Sequence, residues 1–274
     1  RQIESEAQQP SGLKSFPSIQ FAYESAMLDL ENGGRKILFE SEFTHGLKRI
    51  AINGLIWMGS KDFMLTQIQK KLMNGFSCIK IKVGALGFEE EVELLNFIRK
   101  KFPPDIVEIR LDANGAFGEH DVFGKLEILS RYNIHSIEQP VRAGQHDLMQ
   151  KVCSLSPIPI ALDEALIPIG KDEMESVLSY ISPQYIILKP SLLGGFKVCD
   201  DWISLAAKLG TGWWATSALE SNIGLSAIAQ WIFTKKNNLI QGLGTGELYF
   251  NNVHSPLYIE GGKLGFNPNE SFEI

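Results

Sequence analysis

The stretch CIKIKVG, residues 78–84, decides how this chain folds. In an extended strand successive side chains point to opposite faces, so Cys78, Lys80 and Lys82 share one side and Ile79, Ile81 and Val83 the other. The apolar face asks for burial. The two lysines opposite it either look into solvent or look into an interior that has a use for them. That choice rests on what surrounds the stretch.

Working outward, strand-like runs recur from residue 52 onward: NGLIWMG, then CIKIKVG itself, VEIRLDANG, HSIEQP, IPIALDEA, QYIILKPS, GWWATSAL and LIQGLGTG. Between them lie KDFMLTQIQKKLMNG, FEEEVELLNFIRKKF and NIGLSAIAQWIFTKK, patterned and long enough for amphipathic helices. Such alternation predicts parallel βα units. Lys82, Asp112, Glu138, Asp163, Lys189, Ser217 and Thr245 each fall at or near a strand end. By subtraction of their numbers they are 30, 26, 25, 26, 28 and 28 residues apart. One polar residue per βα period is what a closed barrel gives, because all strand C-terminal ends converge on one mouth. No GxGxxG or GxxxxGK[ST] run follows any strand, which weighs against a nucleotide-binding open sheet. The expected fold class is therefore α/β, a modified TIM barrel of the (β/α)7β type. In VEIRLDANG the same parity puts Arg110, Asp112 and Asn114 on the inner face, and the lysines of CIKIKVG join them.

The chain has 274 residues, 44% hydrophobic and 21% charged, with a net charge of −6. That balance offers no basic surplus for nucleic acid or an acidic membrane surface. The three cysteines, Cys78, Cys153 and Cys199, have neither a disulfide framework's number nor a metal site's spacing. With no apolar run approaching the roughly 20 residues of a membrane span, and a polar opening unlike a signal peptide, the expected location is cytoplasmic. Nothing in the sequence fixes an oligomeric state.

Asp112, Glu138 and Asp163 stand on consecutive strands, and three crowded carboxylates repel unless something compensates them. One solution is a divalent cation held by oxygen alone, which suits Mg²⁺, with Mn²⁺ as the second choice. The other is a neutral buried ion network with the flanking lysines Lys80, Lys82 and Lys189, at a large desolvation cost. In the first case a metal sits between amines. Proximity to a cation and to one another is then expected to depress a lysine pKa and free one amine as a base. These parts match the removal of a proton α to a carboxylate, with the resulting charge stabilised on oxygen by the metal.

The KxK of IKIKVG, RLDANGAF around Asp112, IEQP with Glu138, ALDEAL with Asp163 and ILKPSLLGG with Lys189 together resemble the enolase superfamily, in its muconate-lactonizing-enzyme-like subgroup. The resemblance implies that the three acids bind Mg²⁺ and that Lys82 and Lys189 stand on opposite faces of a small carboxylate substrate. TSALESNIGL and GLGTGELYFNN look like the seventh- and eighth-strand segments of the subgroup's o-succinylbenzoate synthases. That likeness implies syn dehydration of a cyclohexadiene carboxylate bearing a succinyl chain, as in menaquinone biosynthesis. Lys82 would take the α-proton, and Lys189 would stay protonated.

Other roles stay open. Lys80 either keeps the pKa of Lys82 low or pairs with a carboxylate. Asn114 either hydrogen-bonds near the metal or turns the chain before Gly115. Ser217, with the backbone near Gly244, either receives the succinyl carboxylate or caps the next helix. Glu220 reads as structural, and His135 and His146 as incidental. The rival activities on this scaffold are N-acylamino-acid racemase, dipeptide epimerase and muconate cycloisomerase. GLGTGELY lacks the acidic motif that dipeptide epimerases carry at the eighth strand. The reading from another class is a non-catalytic barrel, against which the retained charged set argues.

The resemblance also implies an N-terminal capping domain. FPSIQFAYESAMLDL resembles the helix that ends it, and HSPLYIEGGKLGFNPNESFEI the segment that returns to it. The expected division is 1–49 as a remnant of the cap, 50–246 as the barrel and 247–274 as the returning segment. A shortened form or a piece of a longer protein is expected, with a mouth left wetter than under a full cap.

Overall fold

The computed structural model describes residue 12, residues 15–245 and residues 249–273. Parts of the expected polar opening, and the stretch 246–248 within GLGTGELYFNN, lie outside the described residues. So does the expected boundary between 246 and 247.

The chain begins its regular structure with α1 (Pro17–Glu31), where proline sits in the first turn, its ring already set at a helical φ. A short strand β1 (Ile50–Ala51) leads into the barrel staves. These are β2 (Gly54–Ile56), β3 (Cys78–Lys82), β4 (Glu108–Asp112), β5 (Ile134–Glu138), β6 (Ile160–Leu162), β7 (Tyr185–Leu188) and β8 (Gly212–Ala215). All pair in parallel, each with its sequence neighbour. The crossovers are α2 (Lys61–Met73), α3 (Phe88–Lys101), α4 (Val122–Ser130), α5 (His146–Leu155), α6 (Met174–Ile181), the single turn α7 (Pro190–Leu193) with α8 (Phe196–Leu209), and α9 (Asn222–Thr234). Among the described helices none is long and apolar enough to cross a membrane.

The eighth stave expected at LIQGLGTG is only two residues of pairing, yet it closes the ring. Gln241 bridges Ile52 on one side, and Gly242 bridges Thr216 on the other, both in parallel. The hydrogen bonds Asn53 N to Gln241 O (2.9 Å) and Ser217 N to Gly242 O (3.0 Å) stitch the seam. Glycine is required here because a Cβ at Gly242 would run into the Thr216 side chain. Beyond the seam, β9 (Leu257–Glu260) and β10 (Lys263–Phe266) form a hairpin across Gly261–Gly262, both at positive φ, and β10 pairs antiparallel with β1.

Burial settles the opening choice about the lysines. In β3, Ile79 and Ile81 are buried in the core between sheet and helices, and Lys80 on the other face is only 4% exposed. The lysines look into the barrel. Arg110 in β4 is likewise fully buried. Its guanidinium lies 4.2 Å from the Trp214 ring centroid, bonds Glu108 at 2.7 Å and donates to Ile240 O at 2.8 Å. It is thus part of the floor of the barrel, below the strand ends. His135 belongs to the same floor, its ring tilted against Tyr185 and next to a register shift between β4 and β5.

Candidate active site

The register of the sheet brings the charged residues together. Lys82 is the pairing partner of Asp112, and Asp112 of Glu138, so strands β3, β4 and β5 deliver three charged ends side by side. Asp163 and Lys189 follow β6 and β7 directly, at the start of tight helical turns. Lys80, one pair deeper in the barrel, reaches up between two acids: its Nζ is 3.0 Å from Asp112 Oδ2 and bonds Glu138 Oε2. Lys82 Nζ is 3.1 Å from Asp112 Oδ2 and 2.6 Å from Asn114 Oδ1. Lys189 Nζ is 2.5 Å from Asp163 Oδ2. Three acids face three lysines, so the cluster is close to neutral.

Burial and charge set the protonation of this group. At Lys80 burial opposes the charge, but the pull of Asp112, Glu138 and Asp163 outweighs it and holds the amine above the usual lysine range. At Lys189 burial is likewise overcome, chiefly by Asp163, and the pKa rises. Burial also opposes ionisation of Asp112, yet Lys80 and Lys82 bring its carboxyl down to about 2. At Glu138 burial wins over Lys80 and pushes the carboxyl up to about 7, and Asp163 is raised for the same reason against Lys189. Lys80 does pull the Lys189 pKa down, as expected of neighbouring lysines, but the carboxylates pull it up further. In this arrangement ammonium–carboxylate attraction exceeds ammonium repulsion.

Do these residues fit a metal? Among the described residues, no three Asp, Glu, His or Cys side chains stand close enough as placed to hold one. Lysine ammonium groups mediate between the acids instead, and a cation there would require them to draw back. Two observations favour a cation all the same. The donor set is carboxylate oxygen alone, the chemistry of a hard divalent ion. Glu138 Oε1 and Glu164 Oε2 are buried without a partner among the described residues, although a shut-in carboxylate oxygen normally has one. The donors fit such an ion.

Above the acids opens a cleft of about 230 Å³, lined by Lys80, Lys82, Asp112 and Lys189 together with Leu55, Trp57 and the 216–219 and 242–245 segments. Ser217 and Gly244 both border it. The Ser217 hydroxyl is already committed: it donates to Glu220 Oε2 at 2.5 Å and accepts from Thr245 Oγ1 at 2.8 Å and Leu219 N at 3.1 Å. It does not cap α9, whose preceding residue is Ser221. Asn114 turns the chain before Gly115 at φ 42, and its Oδ1 accepts from Lys82 Nζ.

Three positioning residues escaped the sequence reading or were undervalued by it. Gln139 follows Glu138 at φ 39, and its Oε1 accepts from both Asp163 N and Ala165 N at 3.1 Å, so it ties the end of β5 to the turn after β6. Glu164 accepts from Asn114 Nδ2 at 2.8 Å. Glu220, read as structural, gathers Ser191 Oγ, Ser217 Oγ and Ala218 N and so shapes the cleft wall. The side chains next to the recognised acids, in IEQP and ALDEAL, were the available signal.

The enolase C-terminal domain-like family matches residues 64–267. An o-succinylbenzoate synthase from Desulfotalea psychrophila is 53% identical over 250 residues, which are 91% of this chain and 68% of that protein. The crystal structure of MenC from Desulfotalea psychrophila superposes with a TM-score of 0.88 at 51% identity, over 94% of this chain and 72% of that one. An L-Ala-D/L-Glu epimerase from Francisella tularensis subsp. novicida is 30% identical over 173 residues, covering 62% of this chain but 48% of its own length.

Proposed function

Since this chain belongs to the enolase C-terminal domain-like family, we propose that it is a carbon–oxygen lyase. It dehydrates 2-succinyl-6-hydroxy-2,4-cyclohexadiene-1-carboxylate to o-succinylbenzoate, a step of menaquinone biosynthesis. The observation that carries the reading is the pair of lysines, Lys82 and Lys189, lining one cleft with Asp112. The likeness to the Desulfotalea psychrophila synthase over most of both chains supports the choice of substrate.

Members of the superfamily use a divalent metal, and in this chain Asp112, Glu138 and Asp163 would hold Mg²⁺. When bound, the ion neutralises charge that gathers on the substrate carboxylate as the α-proton leaves. Lys82 takes that proton: the C–H pair becomes the new C=C bond, the neighbouring C–O bond breaks, and Lys82 returns the proton to the departing hydroxide as water. Lys189, held protonated beside Asp163, presents positive charge from the other side without exchanging its proton. Lys80, paired with both Asp112 and Glu138, screens their mutual repulsion. Aromatisation of the ring drives the step forward.

We take residues 50–246 as the catalytic barrel, 1–49 as the remnant of a cap and 247–274 as the segment returning toward it, and the cytoplasm as its location. Two lysines lining one cleft also favour a second reading, racemisation of an N-acylamino acid by opposed bases. One experiment separates the two. The chain is assayed for aromatic product with and without Mg²⁺, alongside Lys82→Ala, and for solvent deuterium uptake into N-acylamino acids. Mg²⁺-dependent aromatic product lost in Lys82→Ala supports the lyase. Exchange without aromatic product overturns it in favour of the racemase.

A further inference from the structure

The amine of Lys82 does not stand free in the cleft. Its Nζ lies between Asp112 Oδ2 at 3.1 Å and Asn114 Oδ1 at 2.6 Å. Asn114 is held in turn from two sides, its backbone N–H by Asp112 Oδ1 at 3.2 Å and its side-chain amide by Glu164 Oε1 at 2.8 Å. An ionised carboxylate only accepts hydrogen bonds, so the group that Asn114 turns to Glu164 must be its NH₂. The carbonyl oxygen is thereby left for Lys82. A neutral amine has two N–H bonds and one lone pair around its carbon attachment. With Asp112 and Asn114 accepting both protons, the lone pair has a single direction left, on the side of the cleft that Lys82 lines.

We propose that Glu164 is a positioning residue, which orders the Asn114 amide so that Lys82 aims its lone pair at the substrate. The inference deepens the lyase reading and rests on Lys82 being its base. It uses hydrogen-bond direction alone. Replacing Glu164 by glutamine gives Asn114 a partner that can donate as well as accept. The amide is then free to turn its NH₂ toward Lys82, and a donor facing a donor swings the amine away. Exchanging the pair as Asn114→Asp with Glu164→Gln keeps the summed charge. It also restores the pattern: one aspartate oxygen accepts from Gln Nε2 and the other from Lys82.

The test compares the full chain and the variants Glu164→Gln, Asn114→Asp and the double exchange, each loaded with Mg²⁺. Turnover of the cyclohexadiene carboxylate is measured together with the substrate α-deuterium isotope effect. Glu164→Gln is expected to lose on the order of 10–100-fold in kcat with little change in KM, and to show a larger isotope effect. Its Mg²⁺ affinity by calorimetry should stay within about threefold of the parent. The double exchange should recover most of the lost rate. A loss carried by KM or by Mg²⁺ affinity, or a double variant no better than Glu164→Gln, overturns the relay. A second measurement does not depend on the reaction: labelling of Lys82 by an amine-reactive ester, read by mass spectrometry against surface Lys151. Labelling that changes in Glu164→Gln and returns in the double exchange supports the relay even if the parent makes no aromatic product, an outcome that rejects only the lyase reading. Unchanged labelling overturns the relay.

Discussion

Lys82 and Asp112 are register partners on adjacent parallel strands, and their side chains meet at 3.1 Å over the mouth of the barrel. Pairing in a parallel sheet fixes this meeting more firmly than any loop would, because shifting either strand by one residue would turn its charged end to the helices. A base delivered this way stands at the cleft that the substrate enters. Lys82→Ala is therefore expected to lower kcat by roughly 10²–10⁴-fold, the usual weight of a general base, while Mg²⁺ binding persists. Turnover assays with parallel calorimetry check this. Retention of more than about a tenth of the activity would move the base elsewhere.

Three buried acids balanced by three lysines make metal binding an exchange of one cation for others. Chelation should abolish aromatic product and added Mg²⁺ restore it. At a concentration a hundredfold above its dissociation constant the ion should stabilise the fold by about 2.7 kcal/mol. Asp163→Asn should weaken that stabilisation, because it removes a donor and leaves Lys189 without its partner. Thermal unfolding with and without Mg²⁺ reads both effects, and a Tm indifferent to the ion would remove the metal from the site.

The barrel and its charged mouth were legible in the sequence because both follow from periodicity. Alternation placed Lys80, Lys82 and Asp112 inward, and the recurring βα spacing placed Glu138, Asp163 and Lys189 at strand ends. The seam was not legible: LIQGLGTG reads as a full strand, but the closure needs only Gln241 and Gly242, with Gly244 and Thr245 spent on the cleft wall. Arg110 has the right parity yet belongs to the floor, since depth along a strand does not show in alternation. Gln139 and Glu164 were missed because their work lies in hydrogen bonds between strand ends, a relation that no spacing within one segment carries.

Outside the barrel, Glu24 of α1 receives Phe196 N at 2.5 Å and Lys197 N at 3.1 Å, satisfying the first free N–H groups of α8. Burial raises its pKa above the ordinary glutamate value despite these bonds. In the window from about pH 4.5 up to that raised native value, the folded chain binds more protons than the unfolded one. Its stability therefore falls as pH rises through the window. Glu24→Gln removes this proton uptake, so the parent's stability relative to the variant should decline over the same interval. Denaturant titrations at a series of pH values read the difference, and a parallel pH dependence of the two proteins would dismiss the argument.

The wall of the cleft rests on Glu220 more than on Ser217. Leu219 is held at φ 70, a backbone state that costs a residue with a side chain on the order of 1–3 kcal/mol and persists only when neighbours enforce it. The enforcing contacts are Ala218 N and Ser217 Oγ on Glu220, with Ser191 Oγ on its other oxygen. Ser217→Ala gives up one member of this network, and its hydroxyl has no proton to spare for a substrate carboxylate. KM should then stay within about threefold of the parent. Glu220→Ala leaves several donors unsatisfied at once, and is expected to destabilise the fold by about 1–3 kcal/mol and to raise KM as the loop relaxes. Steady-state kinetics with thermal unfolding separate the two variants. A large KM increase in Ser217→Ala at unchanged stability would return that hydroxyl to the substrate, and the succinyl carboxylate would then have to displace Glu220 from it on binding.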